Sequence, residues 1–145
     1  MDKKIQVSRP IKFRVWDKDL KRMHTCGEDV HDSITFGDDN EAYYYNLQNG
    51  EGSGEDGAYE LMQYTGLKDR NGKEIYEGDI VEELDYSDGA YFPKERQPKK
   101  RTVVEYDIGF VYARAAYNLR GGMENGLYKG EVIGNIYETP LEDTP

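Results

Sequence analysis

His24, Cys26 and His31 stand in a His-x-Cys-x4-His spacing, which offers two imidazoles and a thiolate to a metal. A structural zinc site takes four ligands, most often including paired cysteines. The chain has a single cysteine, so the fourth ligand would have to be an acid such as Asp29. On that ligand count the segment reads as an exposed polar loop. The same residues bring a thiol and two bases, but nucleophilic catalysis requires them to meet in space. No family-type local signature surrounds Cys26. Gly-x-Ser-x-Gly and a phosphate loop are missing, as is a dinucleotide fingerprint that follows a strand and opens a helix.

Carboxylates are the other source of chemistry. Asp69, Glu74, Glu77 and Asp79 crowd one stretch and form a candidate carboxylate site. Asp69-Arg70-Asn71-Gly72 and Asp85-Tyr86-Ser87-Asp88-Gly89 echo fragments of a calcium loop. Neither has the spacing that ends in a bidentate Glu. With 29 acids in the chain, some pair by chance. The residue types in that stretch have a simpler reading as turn chemistry: Asn71-Gly72 turns the chain, Gly78-Asp79 bends it, and Ile75 and Ile80 pack inward. The sequence therefore points away from an enzyme, and no cofactor or metal is expected.

Charge is more informative than motif. The 145 residues carry a formal charge of −10, and its distribution is uneven. Residues 1–22 hold eight Lys/Arg against three Asp/Glu. Residues 23–67 hold ten acids and no Lys or Arg. Residues 68–145 hold eleven bases and sixteen acids. The acidic window contains Tyr43, Tyr44 and Tyr45, which cannot all face one way on a strand. With Asp38, Asp39 and Glu41 beside them, these rings are candidates for contact with a protein partner. That picture puts acids at a rim and rings at a centre. Two basic clusters are candidates for nucleic acid: Lys12, Arg14, Lys18, Lys21 and Arg22 near the start, and Lys94, Arg96, Lys99, Lys100 and Arg101 later. Trp16 and several tyrosines supply rings that could stack on unpaired bases. The pI of about 4.7 argues against general nucleic-acid binding. The basic start of one copy docking on the acidic window of another is a further expectation.

The elements that position these residues are short strands and turns. Residues 11–23 read as a β-hairpin turning at Asp17-Lys18-Asp19. Ser33–Phe36 and Ala42–Leu47 are strand candidates around Gly37–Asn40. Residues 49–58, with four glycines and three acids, read as a loop and as the best internal boundary. Residues 86–101, with Pro93 and Pro98, read as a long connection. Val103–Tyr112 is the cleanest alternating run, and Glu131–Tyr137 is the last strand. No long 3.6-residue stripe occurs. The fold class is mainly β: a small barrel-like or orthogonally packed antiparallel β core, with an N-terminal hairpin and few helices. The expected core contacts are Ile75, Ile80, Val104, Ile108, Phe110 and Ile136. The expected organisation is a tail over 1–10, the hairpin and acidic Tyr-rich segment over 11–48, the loop over 49–58, and a compact β core over 59–145.

The stretch from Leu61 to Val81, reading LMQYTGLKDRNGKEIYEGDIV, resembles the signature of the YopX family. Ile11–Trp16 with Asp17 and Met23 is similar to the opening hairpin of that family, and Val132–Glu138 to its closing strand. The resemblance implies a bacteriophage or prophage origin and a mainly-β fold, and it supplies no activity. The resulting expectation is a non-enzymatic binding or regulatory module in the cytoplasm of a bacterial host. It would act through a host or phage protein or through self-association, with no membrane segment. Nucleic-acid binding is the alternative, and a metal-dependent hydrolase ranks below both.

Overall fold

The computed structural model describes residues 10–87, 89, 91–106, 118–119 and 123–139. The chain divides into two compact units, one ending at Tyr64 and the other starting at Thr65.

In unit 1, β1 (Phe13–Asp17) and β2 (Arg22–Thr25) form the expected antiparallel hairpin. Asp17 makes the turn, its Oδ1 accepting the amides of Asp19 and Leu20, both at 3.0 Å. The free side of β1 pairs with Tyr59–Gln63, the first half of β5 (Tyr59–Lys68). β1 is thus a central strand, and its Val15 is fully buried. A second hairpin joins β3 (Asp32–Phe36) to β4 (Ala42–Asn46). The Gly-rich segment lies inside unit 1 and covers the outer edge of β4. Ser53 exchanges two bonds with Tyr44 (N to O 3.0 Å, Oγ accepting the Tyr44 amide at 2.8 Å), and Gly52 bridges Tyr45. Glycine is required at 57, because a Cβ there would collide with the Gly52 carbonyl. Val15, Tyr44 and Tyr59 form the interior, with Cys26, Ile34 and Leu61 packed around them.

In unit 2, the second half of β5 runs beside β6 (Glu74–Tyr76), and β7 (Asp79–Leu84) is the middle of a sheet ordered β11-β7-β8. Here β8 is Lys99–Val103 and β11 is Glu131–Asn135. A small hairpin of β9 (Met123–Glu124) and β10 (Leu127–Tyr128) completes the strands. Ile75, Val81, Val104, Leu119 and Tyr128 make the core, and Ile80 is also buried. The chain is mainly β. Among the described residues the only helical piece is one 3-10 turn over Lys94–Arg96, and no helix is long and apolar enough to cross a membrane.

Three expectations need correction or limits. Among the described residues of the strand read over 103–112, Val103 alone lies in a strand: β8 runs back from it into the segment read as a connection, because its pairing is set by β7, with Val103 facing Ile80 and Lys99 facing Leu84. Residues 107–112, including Ile108 and Phe110, lie outside the described residues. Ile136 is 37% exposed rather than inward. A bulge between Val132 and Gly134 inserts one residue into β11, which reverses the alternation beyond it. Asn135 turns inward instead, and its Oδ1 accepts the amides of Tyr137 and Glu138.

Candidate binding surfaces

The four-carboxylate stretch resolves into structural clamps. Asp69 is buried, and its Oδ1 accepts the amides of Asn71 and Lys73, each at 2.9 Å, while Oδ2 accepts the amide of Val132 at 2.9 Å. One carboxylate thereby shapes the five-residue loop after β5 and fastens it to β11. The positive φ of that loop falls on Gly72 alone (82°), so Asp69 takes over the task that a tight Asn-Gly turn would perform. Asp79 is equally buried and accepts the Tyr76 amide at 2.8 Å, across the bend at Gly78, whose φ is 85°. Glu74 and Glu77 are half-buried. Both aspartates face backbone donors, and among the described residues no three His, Cys, Asp or Glu side chains group around a common point.

The His-Cys-His segment is tied into the β2–β3 turn in the same manner. Asp32, with a side chain only 4% exposed, receives Nε2 of His24 at 2.8 Å, the Tyr44 hydroxyl at 2.6 Å, and the amides of Gly27 and Asp29 at 2.8 and 3.2 Å. Burial pushes this carboxyl up. The bonds from Tyr44, His24 and the two amides outweigh that effect and hold it below the ordinary aspartate range. His31 pairs with Asp29 at 2.9 Å instead of turning toward Cys26. Burial, followed by the charge of Asp32, pushes the Cys26 thiol up to about 12, so at neutral pH it is protonated and a poor nucleophile.

The acid- and tyrosine-rich window folds into the β3–β4 hairpin. Alternation places Tyr44 inside, edge-on to Tyr59 with centroids 4.9 Å apart, and Tyr43 and Tyr45 on the opposite face. Tyr45 is 45% exposed. Tyr43 is half-buried and donates its hydroxyl to Asp39. That bond raises the Tyr43 hydroxyl above its ordinary range and lowers the Asp39 carboxyl. Asp38, Asp39 and Glu41 all lie exposed at the hairpin tip. Phe36 at the end of β3 is 75% exposed, because the hairpin outruns the unit's core there. Sequence reasoning passed over Phe36. Its signal was an apolar residue next to Gly37, paired with Ala42 at the tip of the hairpin.

The basic clusters divide. Trp16 is buried, so neither of its faces is open to a base. Lys12 lies 5.5 Å over the Tyr64 ring and Arg14 is half-buried in β1. Lys18 is held by the Gly57 carbonyl (2.8 Å) and Glu60 (3.1 Å) of its own unit. In the later cluster, cross-strand pairing with β7 sets three cations against two carboxylates. Arg101 and Lys99 both reach Glu82 (2.9 and 3.7 Å), and Lys100 reaches Glu83 (3.2 Å). Lys94 and Arg96, on the 3-10 turn, are exposed.

Unit 2 also holds a cleft of about 940 Å³ whose lining includes Arg70, Lys94, Lys100, Lys129, Tyr86 and Tyr128. On its lining, the buried Tyr128 bonds Glu83, which pairs with the exposed Lys100. Burial and the Glu83 charge hold the proton on the Tyr128 hydroxyl far above the ordinary tyrosine range. Tyr86 stacks on Tyr91, with centroids 5.1 Å apart at 29°. Lys129 and the Tyr86–Tyr91 pair escaped the sequence reading, since nothing in their spacing links residues 86–91 to 129.

The family model described as YopX protein matches residues 12–142. The fold is similar to the crystal structure of protein EF1440 from Enterococcus faecalis, at 26% identity and a TM-score of 0.58, covering 93% of this chain and 99% of that one. It is also similar to the crystal structure of protein yopX from Bacillus subtilis, at 23% identity and a TM-score of 0.53, covering 90% and 95%. No curated protein matches the chain.

Proposed function

The chain belongs to the YopX family, and from that premise we propose that it is a non-enzymatic binding module of phage or prophage origin, working in a bacterial cytoplasm. Its partner is a basic protein segment, held on the β3–β4 hairpin. The observation that carries this reading is the hairpin tip: Asp38, Asp39 and Glu41 lie exposed in the turn that follows the exposed Phe36, and Tyr45 is exposed on the other face of the hairpin. Acids at a rim steer a basic partner, and an apolar ring gives it an anchor. The window of residues 23–67 contains no Lys or Arg to compete for those acids.

The non-enzymatic part is supported by the groups that chemistry would need. The Cys26 thiol keeps its proton, each histidine is paired to an aspartate, and Asp69 and Asp79 face backbone amides. Docking between copies ranks lower, because Lys18 of the basic N-terminal segment is already bound within unit 1.

The test is fluorescence anisotropy with a labelled peptide of alternating arginine and leucine, at two salt concentrations. The expected result is salt-sensitive binding that weakens about tenfold or more in D38N/D39N/E41Q and by a similar factor in Phe36→Ala, which keeps every charge. Equal affinity in all three proteins overturns the assignment to this hairpin. No binding at low salt overturns the module's partner class.

A further inference from the structure

We propose that the cleft of unit 2 binds the phosphate and base of a nucleotide, free or within a single strand. The proposal concerns a different unit from the hairpin and stands independently of it.

The first support is charge. Unit 2 carries sixteen acids against eleven bases, yet the cleft lining carries Arg70, Lys94, Lys100 and Lys129 against Glu83 and Glu124. Two of the four cations are matched: Lys100 by Glu83 at 3.2 Å, and Arg70 by Glu131 at 3.2 Å. Lys94 and Lys129 are exposed, and their ammonium groups have no hydrogen-bond or ion-pair partner among the described residues. A concave site with unmatched positive charge on an acidic protein concentrates anions locally, where a flat surface of the same net charge repels them. It also confines binding to a few phosphates. A duplex needs a broad run of phosphate contacts, and this acidic surface does not offer one.

The second support is the ring pair. Tyr86 lines the cleft, is 42% exposed, and is backed by Tyr91, which is 80% exposed. A stacked pair in which one phenol is 42% and the other 80% exposed leaves ring surface open to a base. Base stacking on such a ring is tolerant of sequence and adds to the pull of nearby cations. Ser87, Thr102 and Asn125 on the same lining supply neutral donors and acceptors for a sugar or a base edge. Cation, ring and neutral polar groups in one cleft match the three parts of a nucleotide, and a bare inorganic anion would leave the ring unused.

The test uses the full chain, fluorescein-labelled oligothymidylate as the strand probe, ATP as the free-nucleotide probe, and the same oligonucleotide annealed to its complement. Binding of the strand is expected at about 50 mM salt and is expected to weaken steeply by about 200 mM. K94Q/K129Q, which changes only exposed side chains, is expected to lower the slope of log K against log salt by about 1.4 for a single strand. Tyr86→Ala is expected to weaken binding by about five- to a hundredfold, with Tyr86→Phe retaining it. ATP binding with the same dependence on Lys94, Lys129 and Tyr86 identifies the free nucleotide as the source. Binding of the strand without ATP identifies single-stranded nucleic acid. No binding of either probe at low salt, binding that ignores both sets of variants, or a duplex bound as tightly as the strand overturns the proposal. Phe36→Ala is expected to leave these affinities unchanged, so this result and that of the hairpin test are read separately.

Discussion

Both units rely on aspartates held by hydrogen bonds, but they use them against different interiors. In unit 1 the central carboxylate, Asp32, takes bonds from two side chains, His24 and Tyr44, as well as from two amides, and the core beside it is Val15 with two tyrosines. In unit 2 the carboxylates of Asp69 and Asp79 take backbone amides, and the core is largely aliphatic. A side-chain network titrates and can be loosened one partner at a time. A carboxylate that fills several backbone donors cannot be replaced piecemeal, because one substitution orphans them all together. Asp32 is therefore the point at which acid loosens unit 1, and Asp69 the point at which a single substitution costs unit 2 most.

Asp69→Ala should break that contrast most severely. It removes a charged acceptor from three amides, and a loss of about 3–5 kcal/mol is expected, with Asp69→Asn losing roughly half as much. Urea unfolding followed by amide exchange in β6 and β11 measures it, and a cost under about 1 kcal/mol would show that the clamp is incidental.

Acid is the next test. The carboxyl of Asp32 is held below its ordinary 3.8. A depressed carboxylate contributes its full stability above the unfolded value, and loses it as pH falls through the folded one. Amide protection of β2–β4 should therefore decline below about pH 4. Asp32→Asn should cost about 1–3 kcal/mol near neutrality and flatten that decline. A decline as large in Asp32→Asn as in the parent would show that Asp32 does not cause it.

The smallest effect sharpens it from the surface. Lys99→Gln removes the outer contact to Glu82, 3.7 Å long and exposed on the lysine side. A change of a few tenths of a kcal/mol, vanishing at high salt, is expected in thermal unfolding.

Much of the fold was legible because it rests on period two and on turn residues. The β1–β2 hairpin, both strands of the acidic window, and the inward Ile75, Ile80 and Val104 all follow from those signals. Ile136 was not legible from alternation alone, since the bulge that shifts it is set by the pairing with β7 and its one local sign is Gly134. The basic run at 94–101 was visible as charge, but its ion pairing with Glu82 and Glu83 depends on a pairing register between strands fifteen or more residues apart. The role of Asp69 was hidden for a similar reason. Its local partners Asn71 and Lys73 lie within the motif, whereas Val132 lies 63 residues away.

That separation has a consequence for synthesis. When Asp69 leaves the ribosome, two of its three amides are at hand and the third has not yet been made. Until Val132 emerges, a negative carboxylate oxygen in the nascent β5–β6 hairpin has only water as a partner, so the hairpin can form early but cannot lock. Unit 2 is thus committed to its final state late in translation, by the arrival of a single peptide group.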